Sequence, residues 1–267
     1  METISNYTSY NSGMDKSYLD KIFFLDKIEG VDTILDFGCA NGDILKHIHD
    51  IAPELQLYGY DNNSSMVEFA ERKYSDIATF GTDFDGIMAE YVKPETSVLN
   101  LSSVIHEVYS YSKPEEITQF WERVFTYNFK FISIRDLCVS NSCQRESSPN
   151  DYVKLLSRCN TGQLTTYENI WGSTEDNKNL IHFLMKYRYV DNWEREVREN
   201  YFPLCLEDLL SLIPTDMYEV IYFNHYVLPF TYQRVKQDFD IEIKDNTHLQ
   251  LLLKKKEGKP WKKIMTL

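Results

Sequence analysis

This chain of 267 residues has few cations, few cysteines and no long apolar run. Its 28 lysines and arginines are outnumbered by 41 aspartates and glutamates, for a formal net charge of −13. A surplus of that sign argues against indiscriminate binding of nucleic acid, where phosphates must be neutralised. The tail is the exception. From Lys254 onward six lysines face one glutamate, and a solvated end is expected there. The five cysteines, Cys39, Cys138, Cys143, Cys159 and Cys205, include no CxxC pair and no Cys/His cluster at zinc spacing. Neither a disulfide framework nor a metal site is expected, and reduced thiols suit a cytoplasmic compartment. No stretch approaches the roughly 20 apolar residues of a membrane span. The opening METISNYTSYNSGMDK lacks the apolar segment of a signal peptide. There is no internal repeat and no low-complexity tract. What is present in quantity is hydrophobic residues, 43% of the chain, enough for a sizeable core.

Those residues fall into a rhythm. MDKSYLDKIFFLDKI places Leu19, Ile22, Phe23 and Ile28 at helical spacing and predicts one lead-in helix. DTILDF, LQLYGYD, IATFGTD, SVLNLSSV and FKFISIRD read as short strands. NGDILKHIHDI, SSMVEFAERKY and PEEITQFWERVF read as the helices between them. Such alternation predicts parallel βαβ units, buried on both faces. After Asp136 the rhythm breaks. Residues 137–203 carry polar loops and two expected helices, NLIHFLMKYRY and VDNWEREVREN. It returns with LCLEDLLSLI as helix and MYEVIYFNHYVL as strand, then an irregular connection and THLQLLLK as the last strand. The absence of a clear crossover helix between the last two strands makes an antiparallel pair the expectation. The predicted architecture is a doubly wound α/β sheet of about seven strands. Residues 1–136 and 204–267 form its core, and 137–203 form an inserted region expected to act as a lid that recognises the ligand.

The first strand ends on Asp36 and opens into Gly38-Cys39-Ala40-Asn41-Gly42, then a helix. Glycine and alanine let a ligand approach the backbone, and the helix start offers free N–H groups. The second strand ends at Asp61, where an acid suits the two hydroxyls of a ribose. The dinucleotide pattern G-x-G-x-x-G fails, because Asp43 stands where its third glycine belongs and would repel a pyrophosphate. No G-x-x-x-x-G-K-[ST] is present either. Asp36 suits a ligand with a positive amino group.

On these residues the chain resembles the class I S-adenosylmethionine-dependent methyltransferases. LDFGCANG resembles their first motif, YGYD their second, GTDFD the segment after their third strand, SVLNLSSVIHEVYSY their fourth strand and active-site loop, and FISIRD the fifth. The resemblance is good over roughly residues 15–136 and rests on pattern alone over 204–254. It implies a Rossmann-like fold with a reversed C-terminal hairpin and S-adenosylmethionine as cofactor. Ala40 stands where the family often has glycine. By the match, Asp36 meets the methionine part of the cofactor, the backbone from Gly38 through Cys39, Ala40 and Asn41 to Gly42 passes beneath it, and Asp61 with Asn62 holds the ribose. Met66 packs on the adenine or in the core. Thr82, Asp83 and Phe84 lie in the segment that meets the adenine, Asp83 accepting from its amino group or else serving as a turn acid, and Ser102 is a further cofactor-binding candidate.

The family's [DN]-P-P-[YFW] tetrapeptide, carried by methyltransferases of nucleobase amino groups, is missing; NLSS and IHEV stand there instead. His106 and Glu107 are the catalytic candidates. A histidine titrates near neutrality and can take a proton from the acceptor, or else it caps a helix. Tyr109 and Tyr111 are candidates to line the acceptor pocket. Arg135-Asp136 reads as a structural ion pair, and His225 and His248 read as structural. His47 and His49 lack a carboxylate at metal spacing, so no metal is expected. In KYRYVDNWEREVRENYF, Lys186, Arg188, Arg195 and Arg198 with Tyr187, Tyr189 and Trp193 suit stacking on bases. Asp191, Glu194, Glu196 and Glu199 cancel that charge and favour a salt-bridged helical cover. The expected reaction is methyl transfer to an oxygen or nitrogen of a small molecule. RNA such as tRNA is the alternative acceptor, and a non-catalytic cofactor-binding partner protein is the alternative class.

Overall fold

The computed structural model describes residues 18–257. Most of the lysine tail and the first part of the lead-in segment lie outside the described residues. Within them the lead-in is broken. A short helix α1, Tyr18–Lys21, is followed by a single tight turn, Leu25–Lys27. Ile22 and Phe24 are buried against the sheet, whereas Leu19, expected on the apolar face, is 81% exposed.

Seven strands form one sheet: β1 Thr33–Phe37, β2 Gln56–Tyr60, β3 Thr79–Gly81, β4 Ser97–Ser102, β5 Phe131–Leu137, β6 Tyr218–Tyr226 and β7 His248–Lys255. Their order is β3-β2-β1-β4-β5-β7-β6. The first five are parallel, and β7 runs antiparallel between β5 and β6. β1 and β4 are buried along their whole length, as strands covered on both faces must be. The helices α2 Asp43–Ile51 and α3 Ser64–Tyr74 follow β1 and β2, and α5 Ile105–Tyr111 and α6 Pro114–Thr126 lie between β4 and β5. A further helix between β3 and β4, α4 Phe84–Glu90, was not expected. Gly86 lies in its first turn, and Asp83 caps it by accepting from the Gly86 N–H at 3.1 Å. One core packs Leu35, Leu99, Ile132 and Leu251 under Phe120 and Trp121; the other packs Ile34, Val98, Phe131 and Leu252 against Phe24, Leu45 and Ile48.

The region 137–203 holds more helix than its polar composition suggested: α7 Pro149–Arg158, α8 Thr161–Trp171, α9 Asn177–Lys186 and the short α10 Trp193–Glu196. The long helix expected over VDNWEREVREN reduces to α10 and a preceding turn. After α11, Leu206–Ser211, and β6, the connection expected to be irregular contains a helix, α12 Pro229–Phe239. Its Val235 and Phe239, with Ile241 and Ile243, share one apolar cluster with Leu155, Tyr167, Leu180, Phe183 and Leu184 of the insertion. This helical layer, hereafter the cover, is therefore built from two separate stretches of chain. Among the described residues no helix is long and apolar enough to cross a membrane.

Candidate active site

Strand order reverses between β1 and β4, and at such a switch point the strand ends part to leave a crevice. Asp36 on β1 is paired in register with Asn100 on β4, which is paired with Ser133 on β5. The row puts three buried polar side chains side by side in otherwise apolar strands. Asn100 Nδ2 donates to Asp36 Oδ1 at 2.8 Å. Asp36 Oδ2, Asn100 Oδ1 and the hydroxyls of Ser102 and Ser133 are buried without a partner. Burial pushes the Asp36 carboxyl up to about 6, against the pull of Asn100 and of the Lys21 ammonium. An acceptor oxygen left unsatisfied in the interior costs about 1–3 kcal/mol, so this end of the crevice is built for a donor that a ligand brings.

The turn beyond Asp36 is as bare as its sequence suggests. Gly38 has φ +80°, and a Cβ there would lie 2.8 Å from Val104 Cγ2. Ala40 takes φ +46°. Its N–H donates to Asp61 Oδ2 at 2.9 Å, while Asp61 Oδ1 accepts from the Asn63 N–H at 2.9 Å. Asp61 thus ties the turn to the start of α3, and burial raises its pKa. Each of its oxygens keeps a second lone pair for a ligand. An open backbone turn, an orphaned buried carboxylate oxygen and a second carboxylate at the end of the next strand fit S-adenosylmethionine, whose amino group and ribose hydroxyls are donors.

Other residues expected at the cofactor are placed differently. Cys39 is buried in the core, and burial with the nearby Asp36 charge pushes its thiol well above the ordinary range. Asn41 turns its side chain to Asp43, Nδ2 donating to Oδ2 at 2.6 Å and Oδ1 accepting from the Asp43 N–H at 3.2 Å. Phe84 is a core residue against Phe37 and Tyr60, because it is the first residue of an amphipathic helix rather than part of a loop. Thr82, Asp83 and Asn62 are exposed, Met66 is half-buried on α3, and Gly42 precedes α2 at φ +79°. Asp43, the residue that breaks the dinucleotide pattern, accepts from Tyr74 at 2.5 Å and pairs with Lys73 at 2.9 Å.

Beside this crevice, between the sheet edge and the cover, lies a cavity of about 160 Å³. Its lining includes His106, Glu107, Arg135 and Lys21 below and Tyr189, Tyr201 and Arg234 of the cover. Ser103, at φ +58°, makes the sharp turn out of β4 that starts α5 and brings His106 here. His106 is buried, with Nδ1 2.5 Å from Asp136 Oδ1. Asp136 Oδ2 also accepts from the Ile105 N–H, and Oδ1 from the Leu137 N–H, both at 2.7 Å. Burial works against the His106 charge, but the Asp136 carboxylate outweighs it and holds the imidazole up to about 9. Nδ1 is committed to Asp136, so Nε2 is the nitrogen left for a ligand.

The expected Arg135–Asp136 pair is not made. Asp136 takes His106, and Arg135 reaches back to Asp20 at 2.6 Å. Alternation along β5 sends consecutive side chains to opposite faces, which is why neighbours in sequence find different partners. His225 and His248 lie on β6 and β7, His248 buried and its pKa driven well down by burial. Tyr109 accepts from Trp121 Nε1 at 3.0 Å, and Tyr111 donates to Glu199 at 2.8 Å. Neither tyrosine lines the cavity, because α5 turns them toward α6 and the cover. The cations of the insertion are occupied. Arg195 pairs with Glu199 at 2.6 Å and Glu107 at 3.3 Å, and Arg188 holds Asp238 through two nitrogens. Lys186 is fully buried, its ammonium donating to the carbonyls of Glu196 and Glu199, the latter at 2.6 Å, and lying 3.6 Å from the Tyr201 ring centre. Sequence reasoning missed Asn100, Lys21 and Arg234. Asn100 left a signal, a lone amide inside an apolar strand; the other two left none. Among the described residues no group of three or more His, Cys, Asp or Glu side chains is placed to hold a metal.

The sheet order, the reversed final strand and the glycine turn at the carboxyl edge define the fold of the class I methyltransferases. Among solved structures, an S-adenosylmethionine-dependent methyltransferase from Archaeoglobus fulgidus superposes with a TM-score of 0.53 at 11% identity, over 94% of this chain and all of that one. The plantazolicin methyltransferase BpumL, in complex with S-adenosylhomocysteine, gives a TM-score of 0.47 at 16% identity, covering 93% of this chain and 89% of its own. A curated relative from Invertebrate iridescent virus 6, provisionally named methyltransferase 235L, is 35% identical over 81 residues, which span 29% of this chain and 31% of that protein. No family model matches the chain.

Proposed function

We propose that this protein is a methyltransferase that uses S-adenosylmethionine to methylate an oxygen or nitrogen of a small molecule held in the His106 cavity. The observation that carries the reading is the buried, partnerless Asp36 Oδ2 beside the bare Gly38 turn and Asp61. When bound, the cofactor supplies an activated methyl group, so alignment accounts for much of the rate. Asp36 and Asp61 would anchor its two ends, and the Gly38–Gly42 backbone would run beneath it. His106, its tautomer fixed by Asp136, takes the proton that the acceptor loses, through Nε2. With its pKa near 9, the unprotonated form grows as pH rises, and activity should climb toward that value. Glu107 sits at the cavity edge and, through Arg195, joins α5 to the cover.

A cavity of about 160 Å³ favours a small acceptor over RNA. So does the pairing of Arg188 and Arg195, the cations that an RNA backbone would need. Titration calorimetry with S-adenosylmethionine tests the reading. Tight binding is expected, weakened by roughly 1.5–3 kcal/mol in Asp61→Ala, the scale of hydrogen bonds to a charged group. Unchanged affinity in that variant, or preference for NAD, would overturn it.

A further inference from the structure

The cavity's charges are nearly all spoken for. Glu107 and Glu199 share Arg195, Glu196 accepts from the Tyr201 hydroxyl, Asp238 holds Arg188, Asp136 holds His106 and Asp20 holds Arg135. Arg234 differs. It projects from α12 into the same cavity, half-buried, with its guanidinium carbon 4.9 Å from the Phe230 ring centre and 5.9 Å from that of Tyr189. Among the described residues no carboxylate lies within ion-pair range of it. The two rings hold the guanidinium by cation–π contact, the Tyr189 hydroxyl is hydrogen-bonded to it, and Asp238, committed to Arg188, attracts it from beyond ion-pair range; the remaining in-plane N–H donors have no anionic acceptor. Burial lowers its pKa, with the Arg188 charge adding to the effect. A planar fork of donors held this way matches a carboxylate or a phosphate. Leu184, Met185 and Leu228 supply apolar wall nearby.

We propose that the methyl acceptor carries an oxyanion, a carboxylate or a phosphate, that docks on Arg234 while an apolar body fills the space toward His106. This rests on the reading of the cavity as the acceptor site. Arg234 also borders a more open groove that includes Tyr187 and Trp193, which gives a longer acceptor a way out of the cavity.

The test uses the full chain saturated with S-adenosylhomocysteine and three probes: hydrocinnamate, its neutral amide, and phenyl phosphate. Binding is followed by saturation-transfer NMR and calorimetry. Anion binding is expected to exceed that of the amide by about 10- to 100-fold, the scale of a lost charge-assisted hydrogen bond. The preference should vanish in Arg234→Gln and survive in part in Arg234→Lys. The stronger of the two anions identifies the oxyanion. Equal binding of amide and anions, no binding of either anion, or a preference that persists in Arg234→Gln overturns the proposal. Should Arg234→Gln fail to fold, the wild-type comparison and Arg234→Lys decide alone. Calorimetry with S-adenosylhomocysteine in the absence of probes reports separately on the methyltransferase reading, so failure of one is not mistaken for failure of the other.

Discussion

Asp136→Asn removes the charge that governs His106. The substitution keeps the shape and one carbonyl oxygen, which can still accept from His106 and the Leu137 N–H at the Oδ1 position, but it leaves the Ile105 N–H, which donates to Oδ2 at 2.7 Å, facing an amide NH2. It also removes the negative charge 2.5 Å from Nδ1. In the wild type that charge lifts the imidazole from 6.5 to about 9 against burial, a difference of about 3 kcal/mol in favour of the imidazolium. Without it, burial acts unopposed apart from the more distant Glu199 and Glu107, and the histidine should titrate below 6.5. The linkage has a definite sign. A histidine whose folded pKa is raised contributes stability that is complete below pH 6.5 and is lost as pH rises through about 9. Asp136, whose carboxyl is held below its usual range by His106 despite burial, contributes above its ordinary pKa and loses that contribution as pH falls. Urea unfolding should therefore show Asp136→Asn less stable by about 3 kcal/mol near pH 6 from the lost charge, on top of a pH-independent loss of about 1–3 kcal/mol from the Ile105 N–H, with the gap narrowing to that constant part as pH passes 9. The His106 Cε1 proton resonance gives the titration directly. A wild-type midpoint near 6.5, or a stability gap that does not change with pH, would refute the argument.

Gly38→Ala should destabilise the fold by at least about 1–2 kcal/mol, the cost of left-handed backbone for an L-residue, since its Cβ also meets Val104. Denaturant titration measures that loss, and calorimetry should show cofactor binding weakened with it. His106→Asn keeps a donor for Asp136 but removes the titrating group. It should lower kcat by about 10²–10⁴ and flatten the pH profile with cofactor affinity nearly unchanged, and full activity would make His106 a structural residue.

The first five strands were legible because a strand buried on both faces must be apolar throughout, and TILDF and SVLNLS nearly are. Asp36, Gly38 and Asp61 were legible because backbone freedom and an acid at a strand end leave marks at short range. The partnership of His106 with Asp136 was not, since 30 residues separate them and only the parallel register of β4 and β5 brings them together. The helices α7 and α8 hid behind threonine, serine and asparagine. Their apolar residues meet α9 and α12 rather than the sheet, so neither shows the wide apolar face of a helix packed on strands. α12 escaped for the same reason, and Arg234 with it. Phe84 was expected at the cofactor because a motif fixed its place in the chain, whereas its burial in the core depends on a helix the motif does not mention.

β7 pairs with β5 on one side and β6 on the other, although it is made after both. During synthesis the exposed edge of β5 must wait for more than a hundred residues to leave the ribosome before its antiparallel neighbour exists. Until then Ile132 and Ile134 face no strand on that side, and β6 has nothing to pair with. Closure of the sheet in this protein is thus expected to come late in folding, after β7 has been made, with the nascent chain a candidate client for chaperones that shield unpaired strand edges.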